Sequence, residues 1–475
     1  MLFMSGEPSA GQGSKKESRT GHQSGPGKVF ANRSPILDLT KRVWAYALDF
    51  VEIVKTKNGS QPRTPSDASV AAFLDTSAPR SITSGHMAFV KTNVQALAGL
   101  SGRANWKGRI VLDFDLSGPE GEDVVGLLRC LGREKAPFCL SNVALTEATR
   151  PLFFSDSFVK VDVAGQKEAD LEAIMSGFRN LPVRAVATSV DTREEFDLCS
   201  RLGFELFHGE FFRKPSVLTR SSISPNHALL LDLSARTAQD EDIETIDNIF
   251  KKNPDLTFGL LNLIRSAFFH VSKDVTSIRQ AITLLGYKNL QKWAALMLFT
   301  ISHSDPSSDP LFENVLVRAR TMELAAGKSR RKGLGDAAYM TGIFSLVPAL
   351  FGVPIEEMVA KANFGEEIRE ALLAGTGRLG AMLNIVEELE RAAYEKCSMR
   401  TEEAGVGLEH FLSAQAAAFV DCSALTAPRN GDEAGEAPPV RRPEQRTLPS
   451  SEARGREQPQ KTSWFKRIHA FFHHP

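Results

Sequence analysis

Charged side chains stand near the ends of short apolar runs in the first half of this chain. Residues 110–115 read Ile-Val-Leu-Asp-Phe-Asp, residues 158–162 read Phe-Val-Lys-Val-Asp, and His208 and Glu210 follow later. Carboxylates such as Asp113 can hold hard cations, which need oxygen ligands. A lysine or histidine can instead donate hydrogen bonds to phosphate. These residue types therefore allow metal or phosphate chemistry, provided that the fold brings them together.

The elements that must position these residues alternate between strands and helices from about Asn32 to Pro215. Strands that alternate with helices of this length indicate parallel βαβ units. Because six or more units fit into about 185 residues, a compact (β/α) barrel is favoured over an open sheet, although composition alone does not separate the two. The predicted strands are His86–Val90, Arg109–Asp115, Pro137–Asn142, Phe158–Val163, Val183–Ser189 and Glu205–His208. The predicted helices are Asp123–Arg133, Glu168–Arg179 and Thr192–Leu202, the last with the capping-box spacing of Thr192 and Glu195.

The second half of the chain has the apolar spacing of helices only. Apolar side chains recur at helical spacing after Leu256 and again from Ile278, where Gly286 ends the pattern. Further helices are predicted over Glu313–Gly327, Glu356–Ala362, Glu367–Leu373, Leu379–Lys396 and Leu408–Phe419. The fold class that follows is an α/β barrel followed by an all-α module.

Changes in composition set the expected boundaries. We expect a disordered N-terminal tail (1–31), a barrel (32–215), a linker (216–227), a helical domain (228–425), a disordered linker (426–462) and an amphipathic C-terminal segment (463–475). The second linker is rich in Pro, Glu, Arg and Gly, which is typical of disorder. In the C-terminal segment, the apolar side chains of Trp464, Phe465, Ile468, Phe471 and Phe472 share one helical face. This pattern predicts a helix that orders on a partner, on a membrane surface or on the chain's own domains.

Composition excludes several classes of protein. Lys+Arg and Asp+Glu number 57 each, so no basic field favours nucleic acid as a partner. The five cysteines form no Cys-x-x-Cys, which argues against a zinc site or a disulfide framework and fits a reducing compartment. The uncharged stretch Ala337–Ile355 is long enough to approach a membrane span, but its glycines and prolines favour a buried helix and a turn. We therefore expect a cytoplasmic protein without a transmembrane segment.

The barrel half resembles the EAL domain, the family of cyclic di-GMP phosphodiesterases, over about Pro35–Pro215. The similarity rests on the order of several short motifs, and most of all on the ending Phe-x-Gly-x-Phe-Phe-x-x-Pro at 207–215. That family holds divalent metals with carboxylates and an Asn at strand ends, and the metal activates a water that attacks a phosphodiester. The resemblance therefore implies a barrel whose site would lie at the strand ends.

This sequence departs from the EAL pattern at most of its metal-binding positions. By the resemblance, the departures are Tyr46 or Ala47 for the first carboxylate, Lys91 for the Asn, Ser141-Asn142 for the paired aspartates, Thr188 for the general-base Glu and His208-Gly209-Glu210 for Gln-Gly-Tyr. Compatible chemistry remains at Asp113, Lys160, Asp162 and Asp191. With so few oxygen ligands, metal binding should be weak or absent. We therefore predict no catalytic, metal or cofactor-binding residue and no enzyme, and we interpret Lys160 as a strand-end lysine paired with an acid.

The helical half resembles the HDOD domain over about 253–394. Residues 277–286 match the family pattern Ser-Ile-x-x-Ala-Ile-x-x-Leu-Gly, whereas Arg265 stands where the family usually has Asn. The related HD phosphohydrolases need a His-Asp pair for metal, and no such pair occurs in this sequence. The nearest approach, His303 with Asp305, and the basic run 330–332 are predicted to be solvated loops.

Both resemblances point to signalling. The leading hypothesis is a non-catalytic, bacterial-type signalling or scaffold protein, linked by resemblance to cyclic di-GMP networks, that binds protein partners through its HDOD-like domain and 463–475. One alternative is a receptor in which Lys91, Lys160 and His208 donate to the phosphates of a cyclic dinucleotide without hydrolysis. An active phosphodiesterase is the least favoured alternative. Contact of 463–475 with a membrane surface stays open.

Overall fold

The computed structural model describes residues 27–56, 59–76, 78–92, 109–116, 137–147, 149–153, 157–214, 225–265, 277–300, 309–327, 331, 333–362 and 364–426 of the 475-residue chain. Within these ranges the chain forms a closed β-barrel followed by helices, which confirms the predicted fold class.

Eight strands close the barrel and a ninth extends it. The strands are β1 (Lys28–Asp38), β2 (Val43–Thr56), β3 (Gly59–Arg63), β4 (Met87–Thr92), β5 (Ile110–Asp115), β6 (Phe138–Ser141), β7 (Ser157–Asp162), β8 (Val183–Thr188) and β9 (Leu206–His208). Around the ring the order is β1-β9-β8-β7-β6-β5-β4-β2, and β2 pairs again with β1. β1 is antiparallel to both of its neighbours, whereas the other seven strands of the ring run parallel. All six predicted strands are present, each within two residues of its predicted ends.

Alternate residues of each strand point into the barrel, because side chains on a strand alternate between its two faces. One interior layer takes a buried apolar side chain from every strand of the ring: Ile36, Ala45, Phe89, Val111, Cys139, Phe158, Val186 and Leu206. Since this layer fills the barrel, the residues two positions further along the parallel strands stand at its carboxyl-terminal mouth. On the antiparallel β1 the corresponding residue comes two positions earlier, at Ser34.

Four helices accompany the barrel within the described residues: α1 (Asp67–Leu74), α2 (Ala78–Ile82), α3 (Glu168–Phe178) and α4 (Arg193–Leu202). The predicted capping box begins α4. The Thr192 hydroxyl accepts from the Glu195 amide at 3.2 Å, and the Glu195 carboxylate accepts from the Thr192 amide at 2.9 Å. Gly203, in the left-handed conformation, ends the same helix.

The helical part follows from residue 225. Its helices are α5 (Pro225–Ala238), α6 (Ile243–Lys251), α7 (Pro254–Arg265), α8 (Ile278–Leu285), α9 (Tyr287–Met297), α10 (Pro310–Ala326), α11 (Leu334–Phe344), α12 (Val347–Phe351), α13 (Ile355–Ala362), α14 (Glu366–Ala374), α15 (Gly377–Glu390), α16 (Tyr394–Ala404) and α17 (Leu408–Thr426). By length and composition, Leu334–Phe351 could cross a membrane, with a mean hydropathy of 1.4, but 61% of it is buried inside the protein. As predicted, this region is mostly buried; it consists of α11 and the short α12, joined by a turn.

The barrel and the helical part share a buried interface. Phe30, Val51 and Ile53 of the β1–β2 pair belong to the apolar cluster formed by α10, α11 and α14–α17. Beside it, Arg33 of β1 pairs with Glu313 of α10 at 2.7 Å. The same carboxylate accepts a hydrogen bond from the hydroxyl of Tyr46. Strand β1 therefore lies between the two parts of the chain.

A second buried ion-pair cluster joins the loop after β9 to α10 and α15. Arg318 donates to both oxygens of Glu390, at 2.9 and 2.6 Å, and Arg213 reaches the same carboxylate at 3.3 Å. Burial alone would raise the pKa of Glu390, but Arg318 and Arg213 outweigh it and hold the pKa below its usual range. The carboxylate therefore stays charged at neutral pH although it is buried.

Three sequence predictions differ from the structure. Residues 28–31 were expected in the disordered tail 1–31, but they begin β1 and pair with β2, because the extended β1–β2 pair packs on the helices. The predicted helix Leu379–Lys396 is divided by a turn between α15 and α16. In the predicted linker 216–227, the last three residues already belong to α5. The rest of that linker lies outside the described residues. So do 1–26, 123–133, His303, Asp305, the linker from 427 to 462 and 463–475.

Candidate functional site

The mouth of the barrel gathers polar residues from most strands of the ring. The polar residues Asp49, Lys91, Asp113, Ser141, Lys160, Thr188 and His208, together with the apolar Ala47, share the inward-facing positions of their strands beyond the apolar layer. Ser34 joins them from the antiparallel β1. The mouth is therefore where the chain concentrates the residue types that the sequence singled out.

A buried ion pair fills the centre of the mouth. The ammonium group of Lys160 lies 2.5 Å from Oδ2 of Asp113, and Ser141 donates to Oδ1 at 2.7 Å. The side chains of Lys160 and Asp113 are 10% and 2% exposed. Burial would lower the pKa of Lys160, but Asp113 outweighs it and raises the pKa. The pair confirms that Lys160 is a strand-end lysine paired with an acid, and both oxygens of Asp113 are engaged.

Around this pair, burial shifts the pKa of two further groups. Burial raises the pKa of Asp49, while Lys91 and Lys160 partly oppose the rise. Burial, with a further contribution from Lys160 and Lys91, lowers the pKa of His208 to about 4. The imidazole is therefore neutral at pH 7 and keeps a single N–H donor. Its Nε2 lies 2.8 Å from the hydroxyl of Ser34.

The loop after β9 forms one rim of the mouth. Asp191 accepts a hydrogen bond from the amide of Glu210 at 3.1 Å and lies 3.8 Å from Lys214. A Cβ on Gly209 would lie 2.1 Å from the carbonyl oxygen of Val190, so only glycine fits this close approach. The loop is thereby held against the turn that precedes α4.

The structure places the remaining sequence-derived residues in different roles. Ala47 faces the mouth, whereas Tyr46 faces the helical part and bonds to Glu313. Thr188 donates to the carbonyl of Val161 at 3.3 Å. Asn142 donates to Asp115 at 3.1 Å, and Asp162 is exposed and accepts from the amide of Ala164 at 3.1 Å. Arg331, from the basic run, pairs with Glu367 at 2.7 Å on the surface.

Two residues of the mouth were missed by the sequence analysis. Asp49 follows Ala45 and Ala47 at a spacing of two, so the strand period could have placed it inside. Ser34 gave no such signal, because only the antiparallel course of β1 brings it beside His208.

The described side chains do not fit a divalent cation at the mouth. Among the residues that the structure describes, no three His, Cys, Asp or Glu side chains are grouped closely enough to hold a metal ion. The carboxylate at the centre of the mouth, Asp113, already pairs with an ammonium group and a hydroxyl.

Comparison with known proteins identifies the helical part. Residues 226–351 match the HDOD domain model. The uncharacterized protein YuxH of Bacillus subtilis is 26% identical over 387 residues, which covers 78% of this chain and 93% of YuxH. The cyclic di-GMP phosphodiesterase CdgJ of Vibrio cholerae is 28% identical over 228 residues, which covers 48% of this chain and 52% of CdgJ. This chain therefore spans only about half the length of CdgJ.

Solved structures give a distant match. The Bacillus subtilis YkuI protein, with an EAL domain and in complex with substrate c-di-GMP and calcium, overlaps with a TM-score of 0.32 at 14% identity. The overlap covers 48% of this chain and 73% of that one.

The relationship to CdgJ overturns one sequence prediction. The chain was predicted not to be an enzyme because most metal-binding positions of the EAL family are replaced. A relative that aligns over nearly half of the chain is itself named as a phosphodiesterase. Replaced family residues alone therefore do not establish inactivity, and the prediction is withdrawn. The chain is related to the EAL–HDOD proteins of cyclic di-GMP signalling, and its residues 226–351 are an HDOD domain.

Proposed function

We propose that the chain is a signalling protein of cyclic di-GMP networks in which the barrel mouth binds the phosphates of a cyclic dinucleotide and the helical part binds protein partners. Nucleotide binding is supported by the convergence of Lys91, Lys160 and His208 at one end of the barrel. Both lysines lie close enough to His208 to lower its pKa. A phosphate in the mouth would therefore meet two cations and an imidazole donor.

Both lysines have hydrogen-bonding capacity left for a ligand. Lys91 is exposed, and no described residue forms an ion pair with it. Lys160 uses one bond to Asp113 but carries three N–H donors. Charge-assisted hydrogen bonds to phosphate are about twice as strong as neutral ones. Phosphate binding therefore requires no rupture of the Lys160–Asp113 pair.

Protein binding by the helical part is supported by the HDOD match and by its surface. Met399 on α16 and Val420 on α17 are 78% and 51% exposed. Such side chains contribute to binding when a partner covers them. The C-terminal segment 463–475 is proposed as a second contact on the strength of its apolar pattern. Its removal should change the set of bound proteins and leave the thermal stability of the chain unchanged.

Calorimetry of the full-length protein with cyclic di-GMP, with and without Mg²⁺, tests the nucleotide half. Loss of a charged hydrogen bond should weaken binding about tenfold or more in Lys91→Ala. The matched control is Lys252→Ala, an exposed lysine of the helical part, which should bind like the wild type.

The same samples are analysed for hydrolysis products. Binding without products supports a receptor, and products that require Mg²⁺ add catalysis to the proposed role. Absence of heat for the wild type, or equal affinity in Lys91→Ala and Lys252→Ala, contradicts nucleotide binding at this mouth.

A further inference from the structure

We infer that the helical part completes the mouth of the barrel, and that its segment Leu389–Tyr394 forms a wall that contacts the nucleoside portion of a bound nucleotide. The position of the wall follows from contacts between the barrel and the helical part. The ligand contact rests on the proposed function. Nucleotide binding would then be sensed by the helical part directly, at the turn between α15 and α16.

The wall is fixed to the mouth from two sides. Asn32 of β1, two residues from Ser34 and therefore on the same strand face, donates to the carbonyl of Leu389 at 2.6 Å. On the other side, Arg391 lies 3.4 Å from Glu210 of the rim. Tyr394 lies near enough to Asp49 that this carboxylate adds to burial in raising the pKa of the phenol. The turn thus faces the same space as Asp49 and the lysines around it.

Polar atoms along this wall are buried without a hydrogen-bond partner among the described residues. They are Oδ1 of Asn32, Nε of Arg213 and the hydroxyl of Tyr394. Asn32 is only 2% exposed. Buried polar atoms are paired in nearly all native proteins, so three unpaired atoms along one seam are unusual. An amide oxygen and a phenol can accept hydrogen bonds from the hydroxyl or amino groups of a nucleoside.

The turn itself has an uncommon conformation. Ala392 has a φ of +55°, which is a left-handed conformation that costs a non-glycine residue roughly 1 kcal/mol or more. No glycine or proline interrupts the sequence from 381 to 400, so local propensity does not dictate the break. Contacts with the barrel maintain it. Strain that the surroundings impose on a backbone is often found at ligand sites.

The wall also connects to the interior of the HDOD domain. Glu390, beside Arg391, holds Arg318 of α10, and Arg318 in turn donates to Ser345 after α11 at 2.8 Å. Both α10 and α11 fall within the HDOD match at 226–351. A ligand that contacts the wall would therefore stabilise one arrangement of these helices over others. Such a preference for one arrangement is what couples ligand binding to a change in the helical part.

A ligand-free experiment tests the wall. Hydrogen exchange is measured on the full-length protein in peptides that cover 389–397, for the wild type and Asp49→Asn. Replacement of the Asp49 carboxyl group by an amide should change exchange in these peptides by about threefold or more, because local opening follows local stability. The control is Asp197→Asn, an exposed acid on α4 that is half accessible. Unchanged exchange in Asp49→Asn overturns the wall, whether or not any nucleotide binds.

A second experiment tests the ligand contact with Tyr394→Phe. The hydroxyl has no described partner, so its removal should leave the melting temperature unchanged or raise it. Affinity for cyclic di-GMP should fall about fivefold, the equivalent of one neutral hydrogen bond. Wild-type affinity in Tyr394→Phe overturns the contact. If the wild type itself binds no cyclic di-GMP, the contact and the proposed function both fail, while the exchange result still decides the wall.

Discussion

His208 should make the stability of this protein sensitive to mild acid. Burial and two neighbouring lysines lower the pKa of His208 to about 4, against an ordinary value of 6.5. Below pH 6.5 the unfolded chain takes up a proton at this position, whereas the folded chain does not until about pH 4. The contribution of neutral His208 to the unfolding free energy is therefore fully present above pH 6.5 and is lost as the pH falls towards 4.

The size of the effect follows from the width of this window. Each pKa unit corresponds to about 1.4 kcal/mol, so lowering the pH from 7.5 to 5.0, of which about 1.5 units lie below the unfolded pKa, should remove about 2 kcal/mol of unfolding free energy through His208. The perturbation is His208→Gln, which keeps a hydrogen-bond donor near Ser34 but cannot titrate.

Urea unfolding measures the free energy of unfolding of the wild type and of His208→Gln at pH 7.5 and at pH 5.0. The pKa values of His86 and His227 are also lowered by burial, but these histidines titrate equally in the two proteins and their contributions cancel. The variant should therefore lose about 2 kcal/mol less than the wild type between the two pH values. Equal losses of unfolding free energy between pH 7.5 and pH 5.0 in the two proteins would refute the reasoning, because His208 would then be titrating normally in the folded state.

Three further substitutions test features of the fold by urea unfolding. Glu390→Gln leaves the buried Arg318 without its main counter-charge and should cost about 3 kcal/mol; a cost like that of an exposed pair would contradict the role of this interface. Thr192→Ala removes the cap of α4 and should cost about 1 kcal/mol, and an unchanged midpoint would argue against the capping box. Gly209→Ala places a Cβ against the carbonyl of Val190 and should cost roughly 2 kcal/mol or more, whereas wild-type stability would mean that the loop moves freely.

The parallel strands could be predicted because their sequences report burial directly. Ile110–Asp115 and Val183–Thr188 are enclosed on both faces, so apolar residues dominate both strands, with Asp113 and Arg184 as buried charged exceptions. Thr192 and Glu195 likewise carry a local signal, and the capping box is present as predicted. Short-range patterns of this kind need no knowledge of the rest of the chain.

β1 and the wall of the mouth could not be predicted in the same way. β1 carries Asn32 and Arg33 in its centre, and both are buried only because helices hundreds of residues later supply their partners. The turn at Ala392 interrupts a sequence of good helix formers, so tertiary contacts override the local preference there. Lys160 illustrates the intermediate case: its pairing with an acid was predictable, but the identity of Asp113 as its partner depends on the strand order.

The position of β1 has a consequence for how the protein is made. Asn32 and its partner Leu389 are 357 residues apart. At an elongation rate of about 5–20 residues per second, the ribosome needs roughly 20–70 s to reach the partner after the strand has emerged. During that interval β1 can pair with β2, and with β9 once residue 208 has emerged, but Phe30 stays exposed to other chains until the helices that cover it are made. Newly made protein should therefore depend on chaperones until the last helices are synthesised, and shortened translation products should aggregate through this first strand.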